Sequence, residues 1–589
     1  MNKLFLFAGG AVALLSVSLL SAFKPADMSE NPSGIVNKSA DKMEISIIPQ
    51  PSNIISVGGG SMSITSLTQI IVNDEAALPS AAFLKSYLEK YYGISPKVAG
   101  PASKGEKPAG KGGKEVKEVK AKADRGGAIF LNILNAGSSS FDPANPAGTT
   151  EQSGYRLKVS GSAAELTGNY RQGLFYAVQT LIQMLPAEKM VAAKEVYLPF
   201  AEIEDEPRFE YRGMHLDVVR HIWSMDYLKQ FIDYLALHKM NYFHLHLTDD
   251  QAWRIESKKY PKLNSIGAWR AGTIIGIFPG TGVDSTRYGG FYTAEQLKEI
   301  VKYAEERYIT VVPEIDVPGH SMAIIASYPQ FSTTPEIPKQ PAITWGIFNR
   351  QNNVLAPSDE LFVFLEDVFN ELMDIFPGRY IHIGADECAK KWWQESASTQ
   401  EYMKRHGIKD ENELQKLFVE KLSVVMKARG RAIIGWDEMI DDGLVEGSMV
   451  MSWRNAENGY KAAEMGHKTI LTPMLHSYFN IAQKEKEDSL CHRQWLVTLE
   501  NVYNFNPVPA SLSAEAAKNI LGGQGCMWTE YFPHKDRLEY GIYPRLSAIS
   551  EVYWSSPAVK NYTEFHSRLQ TQYRRYDLWG ANYYAGERK

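Results

Sequence analysis

Cysteine is nearly absent from this chain: Cys388, Cys491 and Cys526 are the three in 589 residues. They allow at most one disulfide, so stability must come from a buried core rather than from cross-links. No two of them are near in sequence, which leaves thiolate metal ligation unsupported. A strong charge of either sign is lacking too. The net charge of -5 argues against a nucleic-acid partner. No Ser-His-Asp order and no cofactor loop can be read. Past the N-terminal segment no membrane span is expected in the mature chain.

What is present is an ordinary globular composition, 44% hydrophobic and 22% charged, long enough for a barrel plus a smaller domain. Aromatics are somewhat rich at 11%, with 12 Trp and 31 Tyr. Flat apolar faces suit a sugar binder, and core packing explains the same count equally well. Residues 1–22 read as a cleaved secretory signal. Lys3 gives the charge, residues 4–20 the apolar run, and Ser21-Ala22 the small-residue site. A spanning anchor is the rival reading, since the run is near the lower length limit for one. The small residues and the lack of a basic stop favour cleavage. No Cys lies near the site, so no lipid anchor is indicated, and a periplasmic or secreted location is expected.

Residues 23–43 read as a flexible tether. An α+β domain is expected over 44–206, with strands near 128–134 and 154–159. Its helix at 81–92 carries Leu84, Tyr87, Leu88 and Tyr91 at helical spacing, and a second helix opens at Gly173. Residues 101–127 shift to Lys, Gly and Glu and read as a solvated insertion. From 207 to 589 the pattern becomes strand then helix, repeated. Strands are predicted at 211–218, 242–248, 310–317, 380–384, 432–436, 449–453, 469–473 and 523–528. Helices are predicted at 225–238, 294–307, 360–375 and 412–429. The fold class is therefore α/β: a catalytic (β/α)8 TIM barrel preceded by a smaller α+β domain. A doubly wound sheet competes, but no glycine-rich phosphate loop follows the first strand.

The predicted strand ends carry unusual cargo. They deliver Asp217 to His221, His244 to Asp250, Glu314 to His320, Asp386-Glu387, Trp436-Asp437-Glu438, Trp453-Arg454 and Trp528-Thr529-Glu530. Any one acid could cap a helix and any one Trp could fill a loop. Their recurrence at strand after strand collects them on one face, where barrels keep their sites. Of the adjacent Asp386 and Glu387, one should titrate high and donate a proton while the other stays charged. Acids among several Trp suggest a carbohydrate site.

These residues carry a resemblance. Arg220, His246-Leu247-Thr248-Asp249-Asp250-Gln251, Pro313 to His320, His382-Ile383-Gly384-Ala385-Asp386-Glu387 and Gly523 to Glu530 look like the β-N-acetylhexosaminidases of glycoside hydrolase family 20. Gly154 to Leu157 and Gly173 to Leu181 resemble that family's non-catalytic domain. The resemblance implies an exo-acting, retaining hydrolase that removes terminal β-linked N-acetylglucosamine or N-acetylgalactosamine. The substrate's own acetamido oxygen would attack and form an oxazolinium intermediate, with no cofactor and no metal. Glu387 would be general acid and then base, and Asp386 would hold the acetamide N–H. Arg220 would bind O3 and O4, and Glu530 would bind O4 and O6. Trp436, Trp453 and Trp528 would wall the pocket, and Tyr478 would orient the acetamido carbonyl. Asn480 stands where many relatives carry Asp. Asp316 and His320 would back Glu387, and Asp249 and His246 would support Arg220 and the floor. The partner implied is a glycan ending in a β-N-acetylhexosamine.

Two rival functions stay on the table at this point. His244-Leu245-His246 also fits a metal-dependent amidohydrolase barrel, and a sugar-binding protein without catalysis would show the same tryptophans. Residues 482–511 are assigned either to the leaving-group side or to a subunit contact.

Overall fold

The computed structural model describes residues 45–55, 59–101, 127–136, 142, 147–190, 193–487 and 490–586. The expected signal, the tether and nearly all of the Lys-rich insertion lie outside these residues. Eight parallel strands close a barrel. They are Tyr211–Asp217, Tyr242–His246, Thr310–Glu314, Tyr380–His382, Ala432–Trp436, Met449–Ser452, Thr469–Leu471 and Ile520–Met527. The first strand pairs with the second and with the eighth, where Tyr211 lies opposite Gly522, so no edge is left open.

Between the strands run amphipathic helices, among them Met225–Leu237, Ala294–Glu305, Asp359–Ile375 and Glu411–Ala428. Local chemistry sets their starts. Ser224, Thr293, Ser358 and Asp410 each accept a backbone N–H of the first turn, and Thr293 with Gln296 forms a capping box. Each helix turns its apolar stripe inward, as Leu297, Ile300 and Ala304 do in the second of them.

The preceding domain is a seven-stranded mixed sheet. The helix Arg171–Met184 packs onto it, buried almost all round. At Gly173 a side chain would meet the Gly154 carbonyl at 2.1 Å, so this close helix–strand approach requires glycine. The domain is joined to the barrel by a closed polar knot. Lys239 donates to Tyr155 (2.9 Å) and to Asp205 (3.2 Å), and Asp205 also accepts from Tyr155 (2.7 Å) and the Trp554 indole (2.9 Å). Among the described residues no helix is long and apolar enough to cross a membrane.

Several strands end sooner than their sequence suggests. The fourth stops at His382 because Gly384 and Ala385 both take left-handed backbone, at φ 68° and 71°. That early stop turns the next two residues out of the barrel and into its mouth.

Candidate active site

Asp386 and Glu387 stand on a tight turn after the fourth strand. Glu387 itself has φ 42°, and His320, facing it from the third strand's loop, has φ 43°. Left-handed backbone at three non-glycine residues in one site costs free energy that the surroundings must offset. Part of the restraint is Asp316, whose Oδ1 accepts the Ala385 N–H at 3.3 Å. It fits only because Gly384 has no side chain: a Cβ there would sit 1.8 Å from that oxygen.

The turn borders a cavity of about 260 Å3 at the C-terminal end of the barrel. Its lining brings together most residues singled out in the sequence. Arg220 and Asp249 lie on one side, and Asp316, His320, Asp386 and Glu387 lie together. Trp453, Tyr478, Asn480, Trp528 and Glu530 also contribute to the wall. The rings of Trp453 and Tyr478 are near-parallel, at 17° and 6.1 Å, and stack as neighbouring parts of the wall. Met474, Ile481, His492 and Trp495 also line it, and no residue-level sequence signal pointed to them. His492 and Trp495 come from the 482–511 stretch, and Trp495 is 42% exposed at the rim.

Two of the expected positions need correction. Trp436 does not wall the cavity. It is 1% exposed, packs on His382 at 4.7 Å and donates its indole N–H to Glu314 at 3.0 Å. It is the last residue of its strand and points into the barrel, whereas Trp453 and Trp528 each follow a strand end and reach the mouth. Asp316 stands with Asp386 rather than behind Glu387, their carboxylate oxygens lying within 4.8 Å. His246, expected at the floor, lies fully buried under Asp249 and below the cavity.

Arg220 is held on three sides. Its guanidinium meets Asp249 at 2.6 Å, Asp217 at 3.2 Å and Gln251 at 2.8 Å. From Asp249 a relay of alternating acids and imidazoles runs both ways. Toward the mouth, Asp249 meets His320 Nδ1 at 3.1 Å, and His320 Nε2 faces Glu387 at 3.3 Å. Toward the core, Asp249 meets His246 Nε2 at 3.0 Å, and His246 Nδ1 meets Glu314 at 2.6 Å.

Burial and neighbours sort these groups by charge. Burial opposes the charge on His320, but Asp249, Asp250 and Glu387 outweigh it and hold the imidazolium well above its usual range. Burial likewise opposes His246, and Glu314 and Asp249 raise it to about 10. Glu314 is held well below the usual carboxylate range: burial works against that, and His246, His382 and His244 prevail. Burial pushes Asp386 up to about 6; the charge of Glu387 adds to it and His320 opposes it. Burial and the charge of Asp386 push Asp316 well above the usual carboxylate range. Within this pair the upward push is stronger at Asp316, and Asp386 ionises above about pH 6.

Sequence reasoning assigned no role to three partners: Glu314, Gln251 and Glu438. Glu438 receives the Trp453 indole N–H on both oxygens, at 3.2 and 3.0 Å. His244, His382 and His215 surround Glu314 in an arrangement of metal-ligand types. Gln524 donates to His244 Nδ1 at 2.9 Å and the Gly384 N–H to His382 Nδ1 at 3.0 Å, while among the described residues neither ring nitrogen of His215 has a hydrogen-bond partner. The set reads as a cradle for the Glu314 carboxylate.

Comparison with known families decides the kinship. A model described as glycosyl hydrolase family 20, catalytic domain, matches residues 209–557, and one described as domain 2 of that family matches 44–206. The chain belongs to glycosyl hydrolase family 20. A β-hexosaminidase of Porphyromonas gingivalis is 38% identical over 545 residues, which is 92% of this chain and 64% of that protein. The chain thus spans just under two thirds of that relative's length. A β-hexosaminidase of Vibrio furnissii is 32% identical over 87% of this chain and 77% of its own length. The solved exo-β-N-acetylglucosaminidase of Vibrio harveyi, in complex with N-acetylglucosamine, superposes with a TM-score of 0.75. It is 29% identical over 92% of this chain and 78% of that one.

Proposed function

We propose that this family 20 member is an exo-acting β-N-acetylhexosaminidase that cleaves terminal β-linked N-acetylglucosamine or N-acetylgalactosamine with retention. One observation carries it. Around the cavity, Asp386 Oδ1, Asn480 Oδ1 and Glu530 Oε2 are buried acceptors that no donor reaches among the described residues. Buried acceptors cost free energy unless a donor arrives, and the hydroxyls and amide N–H of one amino sugar would supply them. The cavity has room for about one ring, which favours a chain end over an internal unit.

In this reading the acetamido N–H binds ionised Asp386, and Tyr478 holds the carbonyl. The carbonyl oxygen attacks the anomeric carbon as the glycosidic bond breaks, and Glu387 gives its proton to the departing oxygen. The positive charge of the oxazolinium ring lies beside Asp386. Glu387 then takes a proton from water, which attacks the same carbon and reopens the ring. Two inversions give retention. Burial opposes ionised Glu530, but His492 and Arg220 keep it so, ready to accept sugar hydroxyls. The signal-like residues 1–22 support a periplasmic or secreted location.

The test compares aryl β-N-acetylglucosaminide with aryl β-glucoside, using wild type and Glu387→Gln. Cleavage of the acetamido sugar alone, abolished in the variant, is expected. Equal cleavage of both sugars would remove the acetamide from the mechanism.

A further inference from the structure

The turn that carries Asp386 and Glu387 is tied to a helix behind it by one side chain. Gln415 lies on Glu411–Ala428, the helix between the fourth and fifth strands, and is 1% exposed. Its Nε2 donates to the Ala385 carbonyl at 2.8 Å. Its Oε1 accepts from Lys390 Nζ, which also reaches Asp442 at 3.1 Å. Ala385 immediately precedes Asp386, and Lys390 follows Glu387 by three positions. One amide therefore grips the loop on both sides of the reacting carboxyls.

The loop needs such a grip. Ala385 and Glu387 both hold left-handed backbone, which an alanine or glutamate leaves readily for the ordinary regions when nothing opposes it. Backbone pairing runs on only to Gly384, whose carbonyl accepts the Trp436 N–H at 2.8 Å, and among the described residues it holds neither Ala385 nor Glu387. The Ala385 N–H is held by Asp316, but only at 3.3 Å, so the carbonyl side depends on Gln415. On the opposite side the loop is pressed by Gly319, where a Cβ would lie 2.8 Å from the Asp386 carbonyl.

We propose that Gln415 is a positioning residue for catalysis: its amide clamps Ala385 and Lys390 and so holds Asp386 and Glu387 in reacting geometry. Gln415 touches no cavity atom. It acts through the backbone of the turn, and the substitution that removes it should slow the chemical step rather than weaken binding. The kinetic part rests on the hexosaminidase reading, while the structural part does not.

The experiment uses the full chain with Gln415→Leu, which keeps the volume and removes both hydrogen bonds, together with Ala385→Gly and the double variant. The substrate is aryl β-N-acetylglucosaminide, and backbone hydrogen exchange is followed in parallel. Gln415→Leu is expected to lower kcat by about 10- to 100-fold with KM changed by less than about threefold. Amides of the turn should exchange faster, while those of the barrel strands stay protected. Glycine adopts left-handed backbone without penalty, so in the Ala385→Gly background the same substitution should cost about threefold or less. A wild-type kcat in Gln415→Leu, or losses that simply multiply in the double variant, would overturn the clamp. Faster exchange confined to the turn, in a protein that cleaves no acetamido glycoside, would keep the clamp and reject the proposed activity instead.

Discussion

Buried charge serves opposite ends at the domain junction and at the barrel mouth. At the junction the circuit is closed. Lys239, Asp205, Tyr155 and Trp554 satisfy one another, and nearby Glu551 accepts from Arg568 on both oxygens, from Tyr503 and from the Gln50 N–H. The mouth leaves valences open on Asp386, Asn480 and Glu530, and it holds His320, Ala385 and Glu387 in left-handed backbone. Satisfied polar burial fixes how two domains sit together. Unsatisfied polar burial stores a demand for a ligand, and the rest of the fold must tolerate it.

The contrast can be broken most violently at Glu387. Glu387→Gln removes the proposed proton donor, a half-exposed side chain that His320 approaches to 3.3 Å. Activity should fall by about 10²- to 10⁴-fold while the thermal midpoint barely moves. A midpoint drop comparable to that of a core substitution would mean that Glu387 is structural. The junction should behave in the reverse manner. Lys239→Met strands Asp205 in the core and should cost about 3–5 kcal/mol in denaturant unfolding. The molecules that remain folded should keep wild-type kcat, since nothing in the knot reaches the cavity.

Asp386 sharpens the comparison, because there activity and stability should move in opposite directions. Its folded pKa of about 6 lies above the 3.8 of an ordinary aspartate, so the folded state binds this proton more tightly than the unfolded chain does. The stability linked to it is full below the unfolded value and is lost as pH rises through about 6. Asp386→Asn removes that loss. Above about pH 7 the variant should be more stable than wild type by about 1–3 kcal/mol, and near about pH 4 the gain should vanish. The same substitution should abolish most turnover, and in wild type kcat/KM should fall as Asp386 is protonated below about pH 6. A variant that is inactive and less stable at both pH values would show that Asp386 is a satisfied structural group like Asp205.

Much of this contrast is legible in the sequence, and the part that is not has a physical cause. The eight barrel strands stand out as short apolar runs ending in polar cargo, because strands buried on both faces have few alternatives to Val, Ile, Leu and aromatics. Asp386 and Glu387 were legible because they follow such a run directly. Trp436 misled because a tryptophan at a strand's last position and one just past it look alike in sequence, yet one points into the barrel and the other reaches the mouth. Glu314 was visible only as part of a motif. Its role rests on His244, His246, His382 and Trp436, which three other strands contribute. Gln415 reads as one more polar position on a helix, and nothing local marks the carbonyl thirty residues earlier that it holds.

The smallest effect lies at Glu438, where the two kinds of burial meet. Its carboxyl is pushed well above the usual range by burial and by the charges of Asp386 and Asp437, so it is closed off like the junction groups. Yet its partner is the Trp453 indole, which lines the cavity. Glu438→Gln keeps an acceptor for that N–H and should change KM by less than about twofold, whereas Glu438→Ala frees the ring and should raise KM by about three- to tenfold. The ring's hold on a planar acetamido group should loosen with it, so Glu438→Ala should narrow the preference for N-acetyl over bulkier N-acyl substrates. If Gln and Ala variants shift KM equally, the indole is held by packing against Tyr478 alone, and Glu438 belongs with the closed circuits of the junction.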